Sequence, residues 1–221
     1  MATSPESDTR ERLLDAAEKL FSAHGIGATS LRAITAEAGA NLASIHYHFG
    51  SKDELLLEVF SRRITPVNGK RMELLELATA NGPGELDAIV RAFVSPALHI
   101  LRSPGGRSIT QLMGRLYSEP AEIKFKLLKT FEPIAQRFTD AIRLSLPHLS
   151  QSEVFWRFHY MVGSMAFTMV SSDIAESRLE GSVEEDVDEG IERLVRFISG
   201  GLSAPGKPDQ QTRQEEGNRE E

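Results

Sequence analysis

Apolar residues along this chain recur at spacings of three and four, interrupted by glycine and proline, and no stretch alternates strictly. The pattern predicts an all-α fold. A first helix is expected from Thr9 to His24. A short one follows, opened by Thr29 or Ser30 as N-cap, with Leu31, Ile34 and Ala38 on one face. Gly39 ends it by taking a left-handed conformation. Asn41 is then placed to cap a second short helix, Leu42 to Phe49, whose Ile45 and Phe49 turn inward. Ser51 with Glu54 has capping-box spacing and opens a longer helix through Leu55, Val59 and Phe60, continuing past Pro66.

Further along, Asn81 to Gly84 is a loop, Glu85 to Leu101 a helix with a break at Pro96, and Ser103 to Gly106 a second loop. Helices are then expected over Ile109 to Tyr117, Ala121 to Leu146 with a kink at Pro133, Glu153 to about Glu176, and Val183 to about Ser199. The last two are announced by Ser150 with Glu153 and by Ser182 with Glu185, both capping-box spacings. Residues 1–8 and 203–221 are expected to be disordered tails; the second is nearly devoid of apolar residues and cannot offset its ordering entropy.

The stretch Thr29 to Lys52 holds two short helices, the glycine turn between them and the start of a third helix, which are the parts of a helix-turn-helix. The outward face of its second helix, Ala43, Ser44, His46, Tyr47 and His48, is polar and free of acids, and it lies where a recognition helix enters a major groove. Gly39, the run Ala43-Ser44-Ile45, the run His46-Tyr47-His48-Phe49 and the exit Gly50-Ser51-Lys52-Asp53-Glu54-Leu55 resemble the TetR family of bacterial one-component repressors. One departure is His46, where that family commonly carries an aromatic residue. The resemblance implies a DNA-binding domain over 9–54 and a helical effector-binding and dimerisation domain over 55–202. It further implies a homodimer on a pseudo-palindromic double-stranded operator, released by a small effector.

Net charge qualifies this only mildly. The chain carries 25 Lys+Arg against 32 Asp+Glu, a formal charge of -7, the opposite of a general nucleic-acid coat. Between Thr29 and Lys52, however, Glu37 is the sole acid, and screening limits distant charges to a reach of about 8 Å at physiological salt. Phosphate contacts position a protein and base contacts specify sequence. Lys52, at a helix start whose free N–H groups favour anions, is the expected phosphate ligand. Thr29, Ser30, Tyr47 and His48 are expected to add hydrogen bonds to the backbone, with Asn41 capping the recognition helix beside them. The resemblance assigns base readout to Arg32, Ser44 and His46, with Leu42 and Ala43 able to touch a thymine methyl.

No cysteine is present, so disulfides, zinc ribbons and thiol catalysis are unavailable. His46 and His48, at i and i+2 on a helix, point to different faces, and no metal site or other cofactor is expected. The chain contains no Gly-x-Ser-x-Gly elbow, phosphate-binding glycine loop, dinucleotide fingerprint or His-Glu-x-x-His pair, which disfavours an enzyme. A helical interaction module that no longer binds DNA is the other alternative. No apolar run approaches a membrane span and the N-terminus lacks signal-peptide character, so the expected location is the cytoplasm, with no membrane partner.

Within Phe155 to Val170, Met161, Met165 and Met169 follow at i+4 intervals with small residues between them. This reads either as a packed helix interface or as an adaptable apolar cavity. The cavity would be lined by Met113, Leu116, Phe131, Phe138, Phe158, Met161 and Met165, with Gln111, Arg115 and Arg137 as candidate partners for a polar head group. Met169 and the stripe Ile191, Leu194, Val195 and Ile198 are expected at the dimer surface, since the last helices serve that role in the TetR family. The segments Asn41 to Lys52, Arg62 to Asn68 and Val94 to Leu98 are similar to the fatty-acid-responsive branch of that family. That similarity implies a long-chain fatty acid or its acyl-CoA as effector.

Overall fold

The computed structural model describes residues 5–103, 105–116, 119, 121–171 and 187–206, and the described residues contain helices and no strands. In order they are α1 (Pro5–His24), α2 (Leu31–Ala38), α3 (Leu42–Phe49), α4 (Lys52–Thr79), α5 (Leu86–His99), a 3-10 turn (Ile100–Arg102), α6 (Gly106–Leu116), α7 (Ala121–Ser145), α8 (Gln151–Val170) and α9 (Val187–Ser203). α1 starts four residues ahead of the expected Thr9, with a proline at its first position, where the missing N–H sacrifices no helical bond. The Ser182–Glu185 capping box and the stretch to Glu176 beyond Ser171 lie outside the described residues.

Two apolar cores form. The first gathers Leu13, Leu14, Ala17 and Phe21 of α1, Ile34 of α2, Ile45 and Phe49 of α3, and Leu55, Leu56, Val59 and Phe60 of α4. It also takes in Ile109 and Leu112 of α6 and Leu127 of α7. The second is built from Leu75 at the far end of α4, the inner face of α5, Ile134, Phe138, Ala141 and Ile142 of α7, and the inner faces of α8 and α9. The molecule therefore does not divide in space at residue 54. α4 runs unbroken through that position, and α6 with the first turns of α7 belongs to the core of the DNA-binding end. Both helices that pass from one core to the other carry a proline between the two sets of buried residues, Pro66 in α4 and Pro133 in α7.

Polar contacts brace each end separately. Glu18 of α1 is 4% exposed and accepts from Arg62 at 2.7 Å and from Arg63 at 2.9 Å, both on α4. The hydroxyl of Ser22 lies 2.9 Å from the Ser108 carbonyl of α6, and Arg115 donates to the Ala23 carbonyl at 3.0 Å. At the far end Arg91 of α5 pairs with Glu192 of α9. Arg157 donates to the carbonyls of Leu202 and Ala204, each at 2.6 Å. The first residues of the expected C-terminal tail are thus held in place, Ser203 closing α9, while residues 207–221 lie outside the described set.

The stripe expected at a dimer surface packs inside the protomer. Ile191, Leu194, Val195 and Ile198 are buried within the protomer's own second core, and Met169 packs against the same core. The amphipathic face read from sequence is real, but it is satisfied internally by α5 and α8. What α8 and α9 leave outside is a different face: Phe155, Trp156, Tyr160, Phe167 and Phe197 are half or more exposed.

Candidate nucleic-acid interface

α2 begins where Ser30, in extended conformation, accepts the Ala33 N–H on its side chain at 3.1 Å, and it ends at Gly39 in the left-handed region (φ 59°). α3 starts at Asn41, whose Oδ1 accepts from the Ser44 N–H at 2.9 Å and from the Ser44 hydroxyl at 3.1 Å. It stops at Gly50, at φ 76° and ψ -56°, with the Ser51 N–H returning to the Phe49 carbonyl at 2.8 Å. That is a γ-turn of the rare kind, which an L side chain enters only under strain. Ser51 then caps α4 through the Glu54 N–H at 3.1 Å. Three capped starts and two glycine stops hold α3 at a set angle, while Ile45 and Phe49 anchor it in the first core.

The outward side of α3 carries Leu42, Ala43, His46 and Tyr47, with Tyr47 74% exposed. Arg32 of α2 is exposed beside them and makes no side-chain hydrogen bond or ion pair among the described residues. Glu37, the one acid in the motif, is paired with Lys19 of α1 at 2.5 Å, which offsets part of its charge. The face therefore offers a free guanidinium, a phenol, imidazoles, a small hydroxyl and apolar methyls, the chemistry that reads base edges and grips phosphates.

Three expected contacts sit differently. Thr29 is buried, its hydroxyl 2.8 Å from the Gly25 carbonyl and 3.2 Å from that of Leu20, so it closes the end of α1 and is not presented to DNA. Lys52 leans back with its Nζ 6.0 Å from the centre of the Phe21 ring, and the adjoining Asp53 and Glu54 already answer the positive end of α4. His46 places Nδ1 3.0 Å from the Gly50 carbonyl. A carbonyl only accepts, so Nδ1 carries the proton and Nε2 is the atom left for an outside partner. Ser30, Asn41, Ser44 and His48 stay at the face, the first two occupied as caps and His48 packed edge-on against Tyr47 at 5.0 Å.

The expected ligand-lining residues do not surround one cavity. Phe138, Phe158, Met161 and Met165 lie in the second core, whereas Met113 and Phe131 pack against the first. Gln111, Arg115 and Arg137 are exposed, and the Leu116 side chain is outside the described set. Gln111 and Arg115, with Ser22, Ala23, Gly114 and Val170, line an open groove of about 580 Å³ where α1, α6 and α8 meet. Sequence reasoning missed Arg71, a buried cation of the second core, and the Glu18–Arg62–Arg63 cluster. Two consecutive arginines and a glutamate in an otherwise apolar helical face were the available signals. No helix among the described residues is long and apolar enough to cross a membrane.

Comparison with known proteins agrees with this arrangement at both ends. A family described as bacterial regulatory proteins, tetR family, matches residues 13–59, and one described as the tetracyclin repressor-like C-terminal domain matches residues 91–201. The HTH-type transcriptional regulator AcrR of Shigella flexneri is 30% identical over 112 residues, a stretch covering 51% of this chain and 47% of AcrR. The chain thus spans about half the length of that relative. Among solved structures, the fatty acid degradation regulator FadR of Bacillus halodurans superposes with a TM-score of 0.69 at 14% identity, covering 91% of this chain and 98% of that one. FadR of Bacillus subtilis, solved in complex with stearoyl-CoA, gives a TM-score of 0.69 at 13% identity over 86% of this chain and 98% of its own. These last two likenesses are of fold. With a helix-turn-helix presented on capped helices, a second helical core behind it and both halves matched, the chain belongs to the TetR family of DNA-binding transcriptional regulators.

Proposed function

We propose that this regulator is a repressor that binds a pseudo-palindromic operator as a homodimer and is released by a small apolar effector, with long-chain fatty acids and their acyl-CoA esters as the first candidates. The observation that carries the DNA-binding part is the acid-free, outward face of α3, fixed by caps at both helix starts, with Arg32 of α2 exposed and unpaired among the described residues. One such helix reads only a few base pairs, so two copies about one helical turn (~34 Å) apart supply the specificity. The exposed aromatic face of α8, with Phe197 of α9, is the surface offered to a second copy, forming a two-fold four-helix contact. A regulator acting on such an operator would work in the cytoplasm.

The effector reading is supported by the second core, where Met161, Met165 and Phe158 provide adaptable apolar walls. The fold likeness to a regulator crystallised with stearoyl-CoA adds to it. α4 and α7 each run from that core into the DNA-binding end, so a ligand that separates helices in one core moves elements of the other. Selection of bound duplexes from a random pool tests the first part: a two-fold symmetric motif is expected, and recovery of unrelated sequences overturns it. Adding acyl chains of rising length to the selected complex tests the second. Release should strengthen with length, since each buried methylene contributes about 0.8 kcal/mol; DNA affinity unchanged by every chain overturns it.

A further inference from the structure

Arg71 stands in the second core with its charge unanswered. It lies on α4 just past Pro66 and is 3% exposed. Its Nε donates to the Phe93 carbonyl at 2.8 Å, one terminal nitrogen donates to Asn68 Oδ1 at 3.1 Å, and the other lies 3.4 Å from the Met165 sulfur. The guanidinium carbon sits 4.0 Å from the centre of the Phe93 ring. Every one of these partners is neutral, and among the described residues no carboxylate is paired with it. Burial lowers its pKa to about 10, which leaves it charged at neutral pH.

Buried charges in proteins are paired, because an uncompensated ion in a dry core is costly. Replacement by a well-packed apolar side chain would serve stability better than this arginine does. A thioether is a weak acceptor, so the hydrogen bond to Met165 holds a place that an oxygen anion fills better. The geometry points to Arg71, assisted by Asn68, as the seat of a carboxylate head on the apolar effector, with the hydrocarbon body lying along Met161, Met165 and Phe158. This rests on the apolar-effector reading above and specifies its chemistry as a free acid. It also replaces Gln111, Arg115 and Arg137 as head-group partners: an exposed guanidinium is already solvated and gains little from a carboxylate, whereas a desolvated one gains a short, charge-assisted fork. Met165 gives way readily, its unbranched side chain having three rotatable bonds. Arg71 is carried on the same continuous helix as Leu55, Val59 and Phe60 of the DNA-binding core, so a head group that re-seats it acts directly on α4.

The test is calorimetric titration of the full-length protein with dodecanoate, with dodecanol and with dodecanoyl-CoA, on the wild type and on Arg71→Met, Arg71→Lys and Arg115→Met. The wild type should bind the acid at least roughly tenfold more tightly than the alcohol, a difference of about 1.4 kcal/mol. Arg71→Met should bind acid and alcohol alike and unfold at no lower temperature than the wild type, Arg71→Lys should keep part of the preference, and Arg115→Met all of it. Equal binding of acid and alcohol by the wild type, a comparison that needs no variant, overturns the assignment while leaving the apolar effector standing. So does an acid preference that survives in Arg71→Met, or a CoA ester that outcompetes the acid. If neither acid nor alcohol binds, the effector reading falls and this assignment with it.

Discussion

Gly50 is the residue at which the recognition helix is made to stop and turn, and its left-handed φ of 76° has no side-chain contact to relieve it in any substitution. Gly50→Ala should cost about 1–2 kcal/mol in urea unfolding, from the strain of a Cβ at that conformation. It should also lower DNA affinity by tilting α3 against α4. Asn41→Ala, which strips the cap from the Ser44 N–H, should cost about 1 kcal/mol in the same measurement. Both caps and the Gly39 stop could be read from sequence because capping depends on neighbours three residues away. Thr29 and His46 could not. The partner of Thr29 is the end of the preceding helix, and that of His46 is a carbonyl exposed only once Gly50 has turned the chain.

At the scale of elements, the helices were legible from their periodicity and their breakers, and the prolines were visible as interruptions. Their purpose was not. Pro66 and Pro133 each fall where a helix leaves one core for the other, a fact that exists only once the packing partners of both helices are known. Each deletes one ladder bond and permits a bend there. Pro66→Ala and Pro133→Ala should raise thermal stability, by up to about 3 kcal/mol each as the intact ladder returns, and should reduce the change in operator affinity that an effector produces. Undiminished coupling in the double variant would show that the bends carry no motion between the cores.

For the whole molecule, sequence identified α8 and the last helix as the pair bearing an apolar stripe, but a stripe does not say whether its partner is the same chain or another. Here the stripe of α9 is consumed by α5 and α8, and the outward aromatics are what remains. Leu194→Glu should therefore unfold the protomer, burying a carboxylate without a partner at about 3–5 kcal/mol. Phe167→Glu, on the exposed face, should leave helicity intact and yield a monomer in sedimentation velocity. α6 and the start of α7 join the first core because Ile109, Leu112 and Leu127 pack with residues of α1 and α4, a long-range match that spacing cannot show.

The central claim is that α3, with Arg32 beside it, reads DNA sequence. Its most direct test is fluorescence anisotropy on the selected operator and on a scrambled duplex of equal length, at fixed salt, for the wild type and for the double variant Arg32→Ala and His46→Ala. Neither side chain lies in a core, so circular dichroism and dimerisation should be unchanged. The wild type should prefer the operator by about a thousandfold or more, and the variant should lose most of that ratio while keeping its affinity for the scrambled duplex within a few fold. A variant that discriminates as well as the wild type would contradict the account.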